Sequence, residues 1–349
     1  MNDIDDDWEK FLLGDDGIES RENINIENNN FDKDKNNVSD IPKASELYIS
    51  TKTKIIYVDK DIDLNKIFWL LPVIDYGNAI EGIIKKQMKF NSLDPSELEL
   101  INNEKKKYKY VNENIIYNSS NLNLRDCKFK DVRKISIGIS KKDIISYRSK
   151  QKSAFYNCFV VNLRIFHNNV FREIHVKVFN TGKMEIPGIQ CENLFKIIKT
   201  KILLMLQPYF EETICFQNDK EQTVLVNSNF QCGFYLDREK LFNLLKYKYN
   251  IQANYDPCSY PGIQCKYTIR DSYVSFMIFR TGSVLIVGKC LDEELKNIYE
   301  YLKNLLSEEY QNISINFIAD TPKVNKPKKV RKKIIYFNSD SDNSSNKKS

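Results

Sequence analysis

The chain has 349 residues, of which 42% are hydrophobic and 29% charged, with a net charge of +6. These values are typical of a soluble globular protein with room for two domains. The longest apolar runs are too short to cross a membrane, and the acidic start resembles neither a secretory signal nor a transit peptide. Eight cysteines without a C-x-x-C pair and only two histidines argue against a metal centre, so we expect no metal, no cofactor and no small-molecule substrate.

Charge is distributed unevenly along the chain. Residues 1–46 hold 14 acids against 5 bases, and residues 321–349 hold 9 bases against 2 acids. Both ends are too polar to fold alone, so we predict disordered tails over 1–46 and 319–349. The apolar cluster Trp8–Leu13 is either incidental or a short motif that folds on a partner. The basic run at 326–333 is a solvated segment, a nuclear-import signal or a phosphate-binding arm.

The middle of the chain contains an internal repeat. The segment FNTGKMEIPG at 179–188 matches FRTGSVLIVG at 279–288, an offset of 100 residues. Each copy is followed by an apolar pattern with helical spacing. Upstream, Asp63–Leu71 resembles Asp237–Leu245, and Asp is a suitable N-cap for both helices. We therefore predict a first repeat over 47–212, a second over 213–318, and an insertion in the first at about 77–150.

The alternation of apolar and polar residues predicts which face of the strands packs against helices. Apolar residues alternate with polar ones over 173–178, and a similar pattern recurs at 274–279. Period-two alternation indicates a sheet with one face packed on helices and the other open. Within the insertion, 102–123 is predicted to be loop and 132–139 a strand.

These motifs resemble the TATA-binding protein family, which has two such repeats, each with a Phe-x-[Ser/Thr]-Gly turn before a long helix. The stretch NYDPCSYPGI at 254–263 resembles the family's Phe-Pro-Gly segment. The Asn-, Lys- and Ile-rich composition and the long insertion make the chain most similar to the divergent members of large cytoplasmic DNA viruses. The resemblance implies an α+β fold, with two pseudo-symmetric repeats forming a saddle of antiparallel sheet and helices on the convex face.

The resemblance also implies a function in binding rather than catalysis. Such proteins insert apolar wedges into the minor groove and kink the duplex, which is the mechanism for which this family is known. Carried over by position, the intercalating candidates are Phe179, Tyr260 and Phe279, with Phe159 or Phe155 as the fourth. The groove-floor candidates are Ile49, Val226, Met277, Leu285 and Val287. Candidates for phosphate contacts are Arg164, Lys266 and Arg270.

The first repeat departs from the family pattern. The family's groove-reading asparagines align with Leu47 and Val224, and the first repeat has Lys177, Glu185 and Pro187 where the second is apolar. We therefore expect asymmetric binding dominated by the second repeat.

Three functions follow as hypotheses. The first is a promoter-binding initiation factor that bends A-T-rich double-stranded DNA and recruits RNA polymerase and a IIB-type factor. It would act in a cytoplasmic viral factory or virion, or otherwise in a nucleus. The second is a transcription-complex scaffold whose concave face binds protein or non-specific DNA. The third, an enzyme, is disfavoured because no catalytic motif such as G-x-x-x-x-G-K is present.

Overall fold

The computed structural model describes residues 41–119, 129–145, 157–269 and 272–315. The strands are β1 (Tyr48–Tyr57), β2 (Gly82–Ser92), β3 (Val111–Asn118), β4 (Asp131–Gly138), β5 (Cys158–His167), β6 (Val170–Phe179), β7 (Lys183–Ile189), β8 (Gln222–Gln231), β9 (Gln252–Asn254), β10 (Gly262–Ile269), β11 (Ser272–Phe279) and β12 (Ser283–Gly288). The helices are α1 (Leu64–Leu70), α2 (Pro95–Lys105), α3 (Lys141–Ile145), α4 (Glu192–Leu206), α5 (Arg238–Asn243), α6 (Asp292–Glu308) and α7 (Tyr310–Ile313). A π-helical turn, Leu244–Lys248, continues α5.

The chain forms two compact units. Unit 1 comprises the described residues up to Asp59, then Lys183–Leu204, and those from Glu212 onward; unit 2 comprises Lys60–Gly182 and Met205–Glu211. Unit 1 has the strand order β7-β1-β8-β12-β11-β10-β9, and unit 2 has the order β3-β4-β2-β5-β6. The strands pair antiparallel and helices accompany them, so the α+β class is confirmed.

The strand pairings confirm the internal repeat. The first strand of each repeat pairs with the last, as β1 with β7 and β8 with β12. The hairpin β5–β6 corresponds to β10–β11, and the strand beside it is β2 in one case and β9 in the other. The repeated sequence motif therefore reports a repeated pairing scheme.

The repeated Thr-Gly motif forms the same turn in both repeats. The amide of Gly182 donates to the carbonyl of Phe179, and the amide of Gly282 donates to that of Phe279. Both glycines have positive φ, at 72° and 82°. A Cβ at Gly282 would lie 2.4 Å from the carbonyl oxygen of Phe234, so this position requires glycine for space as well as for φ.

Both predicted N-caps are present. Asp63 accepts from the amide of Lys66 at the start of α1, and Asp237 accepts from the amides of Glu239 and Lys240 at the start of α5. In unit 1 the apolar face of α6 packs on one side of the sheet. The core there includes Phe230, Phe276, Ile286, Leu295, Ile298 and Leu302.

The first repeat contains four elements with no counterpart in the second. They are α2, β3, β4 and α3, which lie between β2 and β5 in the chain. The predicted strand at 132–139 is confirmed as β4, but the predicted loop at 102–123 is wrong. Asp94 caps α2 and Pro95 occupies its first turn, while β3 is held by its pairing with β4. The polar composition of this stretch concealed a helix and an edge strand that tertiary contacts stabilise.

The segment before β1 packs on unit 1. The amide of Ser45 donates to the carbonyl of Gln231, and Tyr299 Oη donates to the carbonyl of Ser45 at 2.9 Å. Ala44 and Leu47 contact the helix-side core. Residues 41–46, which the charge pattern assigns to the acidic tail, are therefore anchored at the end of β8.

Candidate nucleic-acid interface

One face of the unit 1 sheet carries an apolar patch, and no helix of the described residues contributes to it. The patch consists of the side chains Leu225, Tyr260, Met277, Phe279, Leu285 and Val287. Their strand neighbours Val226, Phe276, Ile278 and Ile286 point the other way, into the helix-side core. We call the face with the patch the open face. Met277 is fully buried and Val287 is 4% exposed, because the surrounding patch residues cover them.

Two aromatic rings lie together at one end of the patch. The ring centroids of Tyr260 and Phe279 are 5.9 Å apart at an angle of 60°. Gly262 pairs with Phe279, and a Cβ there would lie 3.0 Å from the Phe279 ring and 3.1 Å from the Tyr260 ring. Tyr260 Oη donates to Met277 Sδ at 3.2 Å, and burial raises the pKa of this tyrosine. The ring pair thus rests on the patch floor in a neutral, apolar setting.

Two of the groove-floor candidates lie on the wrong face. Val226 is buried in the helix-side core, and Ile49 packs against that same core. Val224, Leu225 and Val226 are all apolar, so the sequence does not show which of them faces which side of the sheet. In β1, a bulge between Ile49 and Thr51 shifts the alternation of side chains. Leu225 occupies the open face in place of Val226. The candidates Met277, Leu285 and Val287 do lie on that face.

A carboxamide on the open face was missed. Asn227 pairs with Thr51 across β8 and β1, and its Nδ2 donates to Thr51 Oγ1 at 3.1 Å. The Oδ1 atom of Asn227 is buried and has no hydrogen-bond partner among the described residues. The family alignment places a missing asparagine at Val224, three residues earlier. Asn227 and Asn229, separated by the strand period of two, were the signal in the sequence.

The first repeat places its aromatic residues differently. Phe179 is the last residue of β6 and is half-buried. It pairs with Cys158, just as Phe279 pairs with Gly262 in the second repeat. Phe159 is fully buried and packs on Phe68, with ring centroids 6.3 Å apart, so its predicted place on the open face is wrong. Phe155 lies outside the described residues. By register, the counterpart of Tyr260 is Tyr156, two residues before Cys158, which also lies outside them.

The three predicted phosphate contacts have different environments. The Arg164 guanidinium is buried and donates to the carbonyls of Asn78, at 2.6 Å, and Tyr76, at 3.0 Å. It therefore anchors the loop before β2 and is not available to a phosphate. Lys266 is exposed and pairs with Ser275, on the phase of the open face. Arg270 lies outside the described residues.

The corresponding face of unit 2 is polar, and segment Ser140–Asp143 of the insertion lies against it. By strand alternation this face carries Lys85, Lys89, His175 and Lys177. Lys85 Nζ donates to both oxygens of Asp143 at 2.7 Å, and the amide of Lys141 donates to the Glu173 carboxylate at 3.0 Å. Despite burial, the contacts of Asp143 with Lys85 and Ser140 lower the pKa of its carboxyl. Insertion residues thus occupy part of the face that is open in unit 1.

No helix of the described residues is long and apolar enough to cross a bilayer. No group of three or more His, Cys, Asp or Glu side chains in the same ranges is placed to hold a metal ion.

A family model matches a segment of unit 1, the unit that carries the patch. The family model "Transcription factor TFIID (or TATA-binding protein, TBP)" matches residues 224–308, which run from β8 to the end of α6. This segment is similar to the TATA-binding protein family. The "TATA-box-binding protein-like" protein of Acanthamoeba polyphaga mimivirus is 25% identical over 203 residues, covering 50% of this chain and 55% of that protein. The chain therefore spans about half the length of this curated relative.

A solved structure, that of Methanococcus jannaschii TBP, is also similar. It is 13% identical, with a TM-score of 0.41, and the match covers 76% of this chain and 99% of that one. The match to the family model begins two residues after the start of β8 and includes all the patch residues.

Proposed function

We propose that this chain is a transcription initiation factor that binds the minor groove of A-T-rich DNA through the open face of unit 1 and bends it. The observation that carries the proposal is the apolar patch with the Tyr260–Phe279 ring pair at its end. An apolar sheet face that no described helix covers can press on a groove floor that lacks the guanine amino group. The family model and the viral relative's name support this reading and a viral origin.

The ring pair supplies the wedge. Unstacking one base step costs a few kcal/mol, which apolar contact with the patch offsets as the bent duplex covers more of the protein. Flexible TA steps lower the cost of the deformation. By strand alternation the side chain of Lys266 lies on the open face. Of the three residues predicted to contact phosphates, it is the one that we keep in this proposal.

Binding in this proposal is asymmetric. Unit 2 has lysines where unit 1 has the patch, and Ser140–Asp143 occupies part of its face. We therefore assign groove insertion to unit 1 and only backbone attraction to unit 2. RNA polymerase and a IIB-type factor are the proposed partners of the helix side.

A bending assay tests the proposal. Donor and acceptor dyes on the ends of a short A-T-rich duplex will approach each other as protein is added, whereas a G-C-rich duplex will show little change. Phe279→Ala will abolish the approach, because the wedge is removed. Phe166→Ala, which truncates an exposed aromatic side chain of unit 2, is the matched control and will bend DNA normally. An A-T-rich duplex that stays straight with the unmodified chain contradicts the proposal.

The second candidate is a scaffold with the same fold that does not bend DNA. The occupied face of unit 2 favours it, because one repeat has a face that its own chain partly covers. Salt-sensitive binding without sequence preference or bending in the same assay would support this function.

A further inference from the structure

A basic, aromatic groove lies in unit 1 away from the open face. It is shallow, has a volume of about 500 Å³, and is lined by Lys240, Asn243, Leu244, Tyr247, Lys248 and Asn312. The groove runs along α5 and the π-helical turn. Turns of this kind are rare in proteins, and many of them lie at functional sites. We call it the π-turn groove.

The groove is positively charged and exposes an aromatic ring. Residues 238–248 contain four bases and one acid. Tyr247 is 74% exposed, and Lys246 Nζ lies 5.4 Å from its ring centroid. Two acids lie beside the groove: Asp237 Oδ2 is 3.8 Å from Lys240 Nζ, and Glu309 accepts from Lys248, Tyr249 and Asn312. The four bases still outnumber these two acids and Glu239, so the groove offers a small surplus of positive charge, together with apolar surface, to a ligand that is both acidic and aromatic.

Outside the described residues, the segment near the N-terminus has this chemistry. Residues 3–16 carry seven acids and one base around Trp8, Phe11, Leu12 and Leu13. Trp8, Phe11 and Leu12 have the i, i+3, i+4 spacing that places side chains on one face of a helix. Peptides of this type bind grooves through such a face. The C-terminal tail has the opposite charge, which the lysines of the groove would repel.

The described chain enters unit 1 close to this groove. Ile41 and Pro42 line a neighbouring depression together with Phe234, Leu306 and Ser307. The Phe234 ring packs on Tyr310 at 4.8 Å, and Tyr310 begins α7, which contributes Asn312 to the π-turn groove. A random coil of 24 residues, the length of 17–40, spans roughly 27 Å, which is the reach that the chain has from Ile41.

We infer that residues 3–16 dock intramolecularly in the π-turn groove, with Trp8 and Phe11 against Tyr247 and Leu244 and the flanking acids on Lys240 and Lys246. This contact is independent of the proposed DNA function. The chain would thus carry an acidic ligand for its own surface, away from the open face.

Tryptophan fluorescence tests the inference in the full chain. The only tryptophans are Trp8 and Trp69, so Trp69→Phe leaves Trp8 as the sole reporter. Trp8 emission is expected to be shifted to the blue and protected from acrylamide, and both effects disappear in K240E/K246E. The charge-matched control K289E/K296E changes exposed lysines elsewhere in unit 1 and will keep the protection.

Several results would overturn the inference. Trp8 quenched like free tryptophan in the parent chain would show that the segment does not dock. Protection that survives K240E/K246E would place it elsewhere, and protection that grows with protein concentration would mean that it binds a second copy. An exposed Trp8 together with weaker DNA binding by K240E/K246E would make the groove a phosphate contact instead.

Discussion

At the scale of single residues, side chains at matched positions decide which face can receive an apolar ligand. Met277, Leu285 and Val287 build the patch, whereas the residues one repeat earlier are Lys177, Glu185 and Pro187. An apolar groove floor excludes a carboxylate such as Glu185, which the DNA phosphates would repel. The asymmetry between repeats therefore lies in a few residues rather than in the shared strand pairing.

Gly262→Ala tests the space beneath the ring pair. The added Cβ would lie 3.0–3.1 Å from both rings, so Tyr260 and Phe279 must move apart. We expect reduced bending of A-T-rich DNA, with the folded state destabilised by about 1–3 kcal/mol as in other overpacked sites. Dye-labelled duplexes and urea denaturation measure the two effects. Gly77→Ala, where the added atom meets only Asp75 at 3.6 Å, serves as control; equal bending by both variants would contradict the prediction.

Asn227→Ala tests the buried carboxamide. Its Nδ2 donates one N–H to Thr51 Oγ1, and we expect the other N–H to donate to adenine N3 or thymine O2, because the floor of an A-T-rich minor groove carries only acceptors. The variant should therefore bind A-T-rich DNA more weakly. Thr51→Val removes the same internal hydrogen bond but keeps the carboxamide, and each variant should lower the free energy of unfolding by about 1 kcal/mol. A titration in which both variants bind DNA equally would show that the carboxamide has no role.

The face of the sheet that a side chain occupies could be predicted only where two kinds of residue alternate clearly along the strand. Met277 and Phe279 were placed on the open face because aliphatic residues alternate with them. The predictions for Val226 and Phe159 are wrong, since each lies in a run of consecutive apolar residues and tertiary contacts alone decide which face its side chain takes. Arg164 resembled a surface cation, but the loop carbonyls that it binds come from residues nearly ninety positions earlier.

At the scale of elements, a buried lysine terminates α1. Lys86 on β2 is fully buried, and its Nζ donates to the carbonyls of Phe68 and Leu71 at 2.6 and 2.7 Å and to Tyr108 Oη at 3.0 Å. These carbonyls belong to the last turn of the helix, which has no internal donors for them. The side chain thus joins α1 to β2 in unit 2.

Lys86→Met removes the hydrogen bonds between this side chain and the end of α1 and should lower the stability of the folded protein. Leaving buried carbonyls without a donor is expected to destabilise the folded protein by about 2–4 kcal/mol. Burial lowers the pKa of Lys86 to about 7, below its ordinary 10.5. The unfolded chain therefore binds more protons above pH 7, and stability should rise with pH from 7 to 8.5.

Denaturation at several pH values measures this rise, which should disappear in Lys86→Met. Lys66→Met, an exposed lysine of the same helix, is the control and should keep it. A variant with the parent's slope would show that another group titrates.

Glu309 joins the π-helical turn to α7 in unit 1. Its hydrogen bonds from Lys248, Asn312 and Tyr249 lower the pKa of the carboxyl to about 2 from an ordinary 4.5. Its contribution to stability is therefore complete above pH 4.5 and disappears as the pH falls toward 2. Glu309→Gln should flatten this part of the stability curve, whereas the exposed Glu308→Gln should not. Calorimetry across pH 2–5 decides between these outcomes.

At the scale of the whole molecule, charge is concentrated in the tails. Residues 326–333 carry six bases, and neutralising them with glutamine should weaken DNA binding at low salt. The slope of log affinity against log salt should flatten by about 0.9 for each DNA phosphate that the tail no longer neutralises. Bending at saturation should persist, because the wedge lies in unit 1. A parent-like slope would mean that this tail does not touch DNA.

The repeat, the caps and the turn glycines were predictable because each is a local signal that occurs twice. The insertion was not, since α2 and β3 depend on partners far along the chain.

The place of the inserted strands explains how the first repeat tolerates them. In unit 2, β4 and β3 follow β2 at the rim of the sheet, so β2–β5 and β5–β6 keep the pairings of the second repeat. A rim is where a sheet can grow without breaking an existing ladder. The bulge between Ile115 and Tyr117 then interrupts the new outermost strand, which discourages further strands from adding. The first repeat therefore holds a long insertion while its own strand pairings stay intact.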